Sequence, residues 1–364
     1  MADPGLGAAV LGPLAAAPAV LPGHSLAEGA AALGQAVLCA DAAEPLAGLA
    51  VEADAAAAAR LAWYAEATGL ALHPVVLGDG APAVAPAADD APAGPWDAAR
   101  WQDRAAAVVA ATAGDVMRLM GAKPASALRA RYAQMLGRGA GRVRAALPGG
   151  AALRRVPAAG DVTVDDWREP YARFFAIEEV ELRHRRFDGG MSPRLLRAVF
   201  VSGDAVTVLP YDPARDRVLL IEQFRAAPLA RGDANPWLIE AIAGRIDPFE
   251  TAEEAARREA AEEAGLTLGA LHLAAEYYPS PGAKTEYLWS YVALADLPDT
   301  AAGTGGVEGE GEDIRAHLLP FDALMALVEA NEGANGPLIL TAHWLARHRA
   351  RLRAETGSLL PDQG

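Results

Sequence analysis

A strand running directly into a glutamate-laden helix is the tightest constraint in this sequence. Residues 237–266 read WLIEAIAGRIDPFETAEEAARREAAEEAGL. WLIEAIAG (237–244) is apolar and ends on glycine, which predicts a buried strand. Asp247-Pro248 makes a turn. Thr251 can N-cap a helix, with Glu254 three residues later completing a capping box. Ala255, Ala256, Ala260, Ala264 and Leu266 supply an apolar stripe, and Gly265 suits the left-handed C′ position. The segment reads strand, loop, helix, loop. Glu259 and Glu263 share a face at i, i+4, with Glu262 beside them, and such like charges repel by about 0.2–0.5 kcal/mol per pair. Either water solvates them on a plain surface helix, or something positive sits there. Arg258 can neutralise part of the cluster, toward Glu262 or Glu250. A divalent cation would reverse the sign of the repulsion, and Mg²⁺ prefers carboxylate oxygens alongside water and substrate phosphates.

Length and charge bound the rest. The chain has 364 residues, enough for two or three domains, and about half are apolar. A net charge of −15 argues against a general nucleic-acid binder, which needs a basic face. The lone cysteine, Cys39, fits a reducing cytoplasm and reads as a buried structural thiol. Residues 4–22 are uncharged and apolar, but no Lys or Arg precedes Arg60, and Pro4, Pro13, Pro18 and Pro22 would break a spanning helix. They read as strand and loop, with no membrane span anywhere in the chain.

Composition shifts twice. Residues 1–76 carry candidate strands at 35–40 and 46–53. Residues 77–96, rich in Pro, Ala and Asp, read as a linker or surface loop, and 97–147 have helical spacing. AVTVLPYD (205–212) and RVLLIEQF (217–224) flank a turn and predict a hairpin. YLWSYVALA (287–295) is a further strand. Residues 320–330 and 337–355 are closing helices.

Gly244, Glu250, Arg258, Glu259, Glu262, Glu263 and Gly265 match the Nudix box, G-x5-E-x7-R-E-U-x-E-E-x-G-U, at all seven fixed positions. Ala260 is a small version of one U position and Leu266 fits the other. About residues 165–352 resemble the ADP-ribose pyrophosphatase branch of the Nudix hydrolases. FDGGMSPRLLRAVF (187–200), LLIEQFR (219–225), PWLIEAIAG (236–244), SPG (280–282) and EGEDIRAH (310–317) carry that resemblance. It implies hydrolysis of ADP-ribose to AMP and ribose 5-phosphate, with GDP-mannose and other nucleotide sugars as alternative substrates. A module that senses ADP-ribose without cleaving it is a third reading, opposed by the intact set of glutamates.

The resemblance also implies roles. Metal, Mg²⁺ with Mn²⁺ as a substitute, falls to the Ala243 carbonyl, Glu259, Glu263 and Glu312. Glu310 is the expected base, with Glu262 and Arg258 in the catalytic set. Gly244, Arg225, Ser280, Gly282 and Glu286 are expected on the substrate. Arg197 and Phe174 match positions that flank the adenine, Phe174 coming from a partner subunit. Ala198 stands where this branch usually has Glu, which puts nucleobase preference in doubt. The glycines of GTGGVEGEGED (303–313) suit a mobile loop that closes on the substrate. A homodimer exchanging strands near EEVELRHRRF (178–187) is expected too.

Residues 10–76 weakly resemble a γ-glutamylcyclotransferase-like domain, joined to a Nudix domain as in a tellurite-resistance-associated group. The carriers are LGPL (11–14), LPGH (21–24), LAGLAVE (46–52) and RLAWYAE (60–66). The motifs are eroded: the family's catalytic Glu falls on Ala65, with Glu66 one place late, so the domain is expected to be inactive. The expected fold is α+β: a Nudix α/β/α sandwich with a mixed sheet (161–355), preceded by a small β-rich domain with linker (1–96) and a helical connector (97–160).

Overall fold

The computed structural model describes residues 4–31, 33–40, 43–147, 153–306 and 311–357. Its contacts divide the chain into Met1–Phe200 and Val201–Gly364.

The first unit opens with helix α1 (Pro4–Leu11), where strand and loop were expected. Pro4 sits at the helix start, where its missing N–H costs nothing. Arg60 then binds the other end, its Nε donating to the Val10 carbonyl (2.7 Å) and its Nη2 to that of Ala9 (2.9 Å). Strands β1 (Ala16–Leu21), β2 (His24–Gly29), β3 (Ala36–Ala40) and β4 (Leu46–Val51) follow, then helix α2 (Ala55–Thr68). Asp54 caps α2, accepting from Ala57 N at 2.8 Å. Within α2, Ala65 is buried and Glu66 is exposed. The one-place shift read in the sequence therefore points Glu66 away from the packed face.

The stretch expected as a linker forms strands. After β5 (Leu70–Val76), β6 (Pro82–Ala88) pairs with it from Leu70↔Ala88 to Val76↔Pro82. β7 (Pro92–Pro95) then joins β2. Each is an edge strand of its sheet, the place a sheet tolerates proline. The helical stretch is α3 (Ala98–Arg104), α4 (Ala106–Arg118), α5 (Ala125–Arg129) and α6 (Tyr132–Ala145). Strands β8 (Val162–Ala172), β9 (Ala176–His184) and β10 (Leu195–Val201) form a sheet in the order β10-β9-β8, with β8 antiparallel to β9. Their contacts group with the residues before them, so the second unit starts near 201 where the sequence suggested 161.

The second unit is built on an eight-stranded mixed sheet. The hairpin expected at 205–224 is β11 (Ala205–Asp212) and β12 (Arg217–Phe224), with Asp212↔Arg217 next to the turn. A short helix, α7 (Ala226–Arg231), leads to β13 (Trp237–Glu240) and β14 (Ile242–Arg245). These two were expected as one strand. The chain changes partner at the buried Ala241: β13 lies on β12 and β14 on β11. Helix α8 (Ala252–Ala264), β15 (Leu271–Tyr277) and β16 (Leu288–Leu294) come next, and β16 runs parallel to β11. β17 (Gly303–Gly305), β18 (Ile314–Pro320), α9 (Phe321–Glu329) and α10 (Gly336–Gly357) complete the unit.

Two cores follow from the alternation of side chains along the central strands. Val206, Val208, Leu219 and Ile221 pack with Ala255, Ala256 and Ala260 of α8. Leu209, Tyr211, Val218 and Leu220 pack with Phe321, Leu324, Leu338 and Leu345 of α9 and α10. The sheet is thus covered by helices on both faces.

Candidate active site

Helix α8 starts as its sequence predicts. Thr251 N donates to Glu254 Oε2 at 2.9 Å and Glu254 N to Thr251 Oγ1 at 3.2 Å, closing the capping box. Gly265 ends the helix at φ 63°, a left-handed conformation that glycine adopts without steric cost. Burial of Ala255, Ala256 and Ala260 turns the helix so that Glu263 is buried as well, at 2% exposure.

Arg258 organises the acidic face. Its Nε donates to Glu250 Oε1 (2.9 Å) and its Nη2 to Glu250 Oε2 (3.0 Å). Nη1 donates to Glu259 Oε1 (2.7 Å) and Glu262 Oε2 (2.9 Å), and Nη2 also reaches the Arg245 carbonyl (2.9 Å). One guanidinium thus ties three carboxylates of the helix and its approach loop to strand β14. Glu263 is fixed independently, accepting from Ala243 N at 3.2 Å.

Gly244 leaves room for the Glu259 carboxylate at this point. A Cβ there would lie 1.9 Å from the carboxyl carbon of Glu259. The absent side chain is what lets that carboxylate rest against the strand. Burial, opposed by Arg258, pushes the Glu259 carboxyl up to about 7. Burial, opposed by the Ala243 N–H, pushes Glu263 up to about 8. Glu312, leading into β18, adds its charge to both in the raising direction. So Glu259, Glu263 and Glu312 are electrostatically one group.

This donor set fits a hard divalent cation: carboxylate oxygens beside a strand whose backbone comes close because Gly244 allows it. Among the described residues, no three acidic or imidazole side chains are already gathered tightly around one point. The hydrogen bonds to Arg258 and Ala243 hold Glu259 and Glu263 in their present rotamers.

The remaining sequence-predicted residues are placed as follows. Arg225 follows β12, and its Nε donates to Glu240 Oε2 at 2.7 Å. Its charge works against the raised pKa of Glu263. Ser280 and Gly282 form a tight turn, with Lys284 N donating to the Ser280 carbonyl at 2.9 Å. Lys284 Nζ in turn reaches Glu286 at 3.4 Å. Phe174 and Arg197 belong to the first unit. Phe174 is 60% exposed, so it is no core residue, and its ring stands edge-on to Phe175 at 4.8 Å. Arg197 is exposed, with Nη1 on the Leu196 carbonyl at 2.9 Å. Glu310 lies outside the described residues.

Sequence reasoning missed Glu240 and Asn335. Asn335 Nδ2 donates to Glu240 Oε1 at 2.6 Å, so Glu240 joins Arg225 to the start of α10. No local spacing signals a pair 95 residues apart. The glycines at 303–306 also act differently from the expected loose hinge. Gly303–Gly305 is a strand paired with β18. A Cβ on Gly305 would lie 2.2 Å from the Glu263 carbonyl, and one on Gly306 3.0 Å from Glu312 Cβ. Close packing against the acidic helix requires them there.

A family model described as the NUDIX domain matches residues 201–340. The ADP-ribose pyrophosphatase of Escherichia coli K12 is 38% identical over 185 residues, covering 51% of this chain and 88% of the relative. A GDP-mannose pyrophosphatase of Escherichia coli O1:K1 / APEC is 33% identical over 172 residues, 47% of this chain and 88% of the relative. A solved structure described as an ADP compounds hydrolase is 22% identical over 53% of this chain and 98% of that one. Its TM-score is 0.40.

Proposed function

The chain belongs to the Nudix family of hydrolases, and on that premise we propose that it hydrolyses the pyrophosphate of ADP-ribose to AMP and ribose 5-phosphate with Mg²⁺. The observation that carries this reading is the unbalanced acidic face: Glu259 and Glu263, held up to about 7 and 8 mainly by burial, beside a glycine that opens the strand to them. A structural ion pair would have been balanced; a catalytic cation site is left short of positive charge.

Glu259, Glu263, Glu312 and the Ala243 carbonyl would hold the ion. When bound, it would offset pyrophosphate charge, orient the phosphates and acidify water. Arg258 keeps Glu259 and Glu262 in place through its own hydrogen bonds, so the helix presents oxygens in fixed directions. Glu310 is assigned as the base that takes a proton from the attacking water, which approaches phosphorus in line. Arg225, already in an ion pair with Glu240, is assigned to the phosphates, with Gly244, Ser280, Gly282 and Glu286 lining the substrate. Arg197 and, supplied by the partner subunit of the proposed dimer, Phe174 are assigned to the nucleobase.

A second reading, a GDP-mannose or other nucleotide-sugar diphosphatase, is favoured by Ala198. Its side chain offers no hydrogen bond to a base, and a GDP-mannose pyrophosphatase is among the relatives. Comparing kcat/KM for ADP-ribose and GDP-mannose, with Mg²⁺ and with EDTA, separates the two. Preference for ADP-ribose supports the main reading; preference for GDP-mannose replaces it.

The protein is further proposed to be a homodimer and to work in the cytoplasm. Among the described residues, no helix is long and apolar enough to cross a membrane. A monomer mass by light scattering would contradict the dimer. The N-terminal cyclotransferase-like domain is proposed to be inactive, supported by the exposed position of Glu66. Cyclotransferase turnover abolished by Glu66→Gln would overturn that.

A further inference from the structure

Strand β8 is not regular. Arg168 pairs with Glu179 and Tyr171 with Ile177, so Glu169 and Pro170 stand opposite Glu178 alone. A bulge of this kind bends a strand and re-aims a side chain. Here it sends Glu169 into the helical connector. Arg131, at the start of α6, donates Nη1 to Glu169 Oε2 at 3.1 Å and Nη2 to Oε1. Arg138 of α6 adds Nη1 to Oε2 at 3.1 Å. All three side chains are more than nine-tenths buried.

A second layer flanks the bulge. Trp167 donates Nε1 to Glu178 Oε2 at 2.9 Å. Arg118 of α4 lies 4.4 Å from the centre of the Trp167 ring and Arg142 of α6 lies 5.3 Å from it. Both arginines are held by Asp115, at 3.0 and 2.7 Å. Beyond the bulge the ladder resumes for only two pairs, Tyr171↔Ile177 and Ala172↔Ala176, before the turn that carries Phe174. Arg173 N donates to the Phe175 carbonyl at 2.7 Å. Phe175 also packs on Phe200 at 4.7 Å, on the strand that bears Arg197.

We propose that Glu169 is a positioning residue for substrate binding: by clamping the β8 bulge to Arg131 and Arg138, it holds the Phe174 turn in a fixed direction. This rests on the assignment of Phe174 to the nucleobase. A hairpin end free to pivot about its bulge would have to be ordered on each binding event, and that ordering lowers affinity without touching chemistry.

The test uses the full chain with ADP-ribose and Mg²⁺. Glu169→Gln and Phe174→Ala should each raise KM on the order of tenfold and leave kcat within about twofold. The double variant should be no worse than the weaker-binding single, because both act on one element. Amide exchange at residues 173–175 should be faster in Glu169→Gln. Independent, additive losses would overturn the proposal, as would unchanged KM in Glu169→Gln while Phe174→Ala raises it. Should Phe174→Ala leave KM unchanged, the nucleobase assignment has failed. Exchange then judges the clamp alone: faster exchange at 173–175 upholds it and wild-type exchange overturns it. Should Glu169→Gln not fold, Arg138→Gln, which leaves Arg131 in place, carries the same expectations at smaller amplitude.

Discussion

Around Arg258 one guanidinium serves three carboxylates, whereas around Glu169 two guanidiniums serve one. Both clusters use arginine's fork and glutamate's paired oxygens. In the first, Glu263 and Glu312 add further negative charge, and burial above all, with that charge behind it, pushes the carboxyls of Glu259 and Glu263 up. In the second, every oxygen of Glu169 has a donor and the charges are enclosed. A cluster short of positive charge is a place for a cation and its substrate. A buried carboxylate with a donor on every oxygen is a fastening between elements.

That contrast is open to attack from both sides. The largest effect is expected from Glu263→Gln, which should lower kcat by roughly 10²–10⁴-fold. It should leave the melting temperature in metal-free buffer unchanged or higher, because burial forces that carboxyl toward its neutral form on folding and an amide carries no such cost. Near wild-type turnover would put the cation elsewhere. Glu169→Gln should do the reverse to stability: stranding two buried arginines costs on the order of 3–5 kcal/mol, measurable by urea unfolding. A cost near zero would mean that the fastening is idle. Arg258→Lys keeps the charge but cannot fork across Glu250, Glu259 and Glu262. With the network partly exposed, the expected loss is about 1–2 kcal/mol, together with a lower kcat.

The smallest effect concerns Asp216, at the tip of the β11–β12 turn. Its carboxylate accepts from Tyr211 OH at 2.8 Å, from Arg349 Nε at 2.7 Å and from Arg353 at 2.6 Å, tying α10 to the hairpin. Hydrogen bonding from Arg349, opposed by burial, holds its carboxyl below the ordinary range. A carboxyl with a lowered folded-state pKa contributes stability above its unfolded value of about 4, and loses it as pH falls through the folded value. Asp216→Asn should therefore cost about 1 kcal/mol near neutrality, and the gap from wild type should close in acid. A gap independent of pH would remove charge from the explanation.

Legibility in the sequence followed the range of the contacts. The acidic helix, its capping box and its glycine end were readable because every partner lies within one turn or one short loop. Strand pairing inside the β11–β12 hairpin was readable for the same reason. The break at Ala241 was not, because WLIEAIAG is apolar apart from Glu240 and only the neighbouring strands decide where it changes partner. Helix α1 was hidden because its stabilising donor, Arg60, is about fifty residues away. The Glu169 clamp depends on partners 31 and 38 residues distant, placed by one helix and a bulge. The prolines at 82–95 suggested loop because proline is barred from sheet interiors; on sheet edges that bar does not apply.

The central claim is that the crowded carboxylates of α8 share a divalent cation, and calorimetric titration of the metal-stripped full chain with Mg²⁺ addresses it most directly. The wild-type chain should bind Mg²⁺ and melt at higher temperature in its presence, and Glu263→Gln should lose both responses. No binding heat from Mg²⁺ or Mn²⁺, with AMP still released from ADP-ribose in EDTA, would contradict the account.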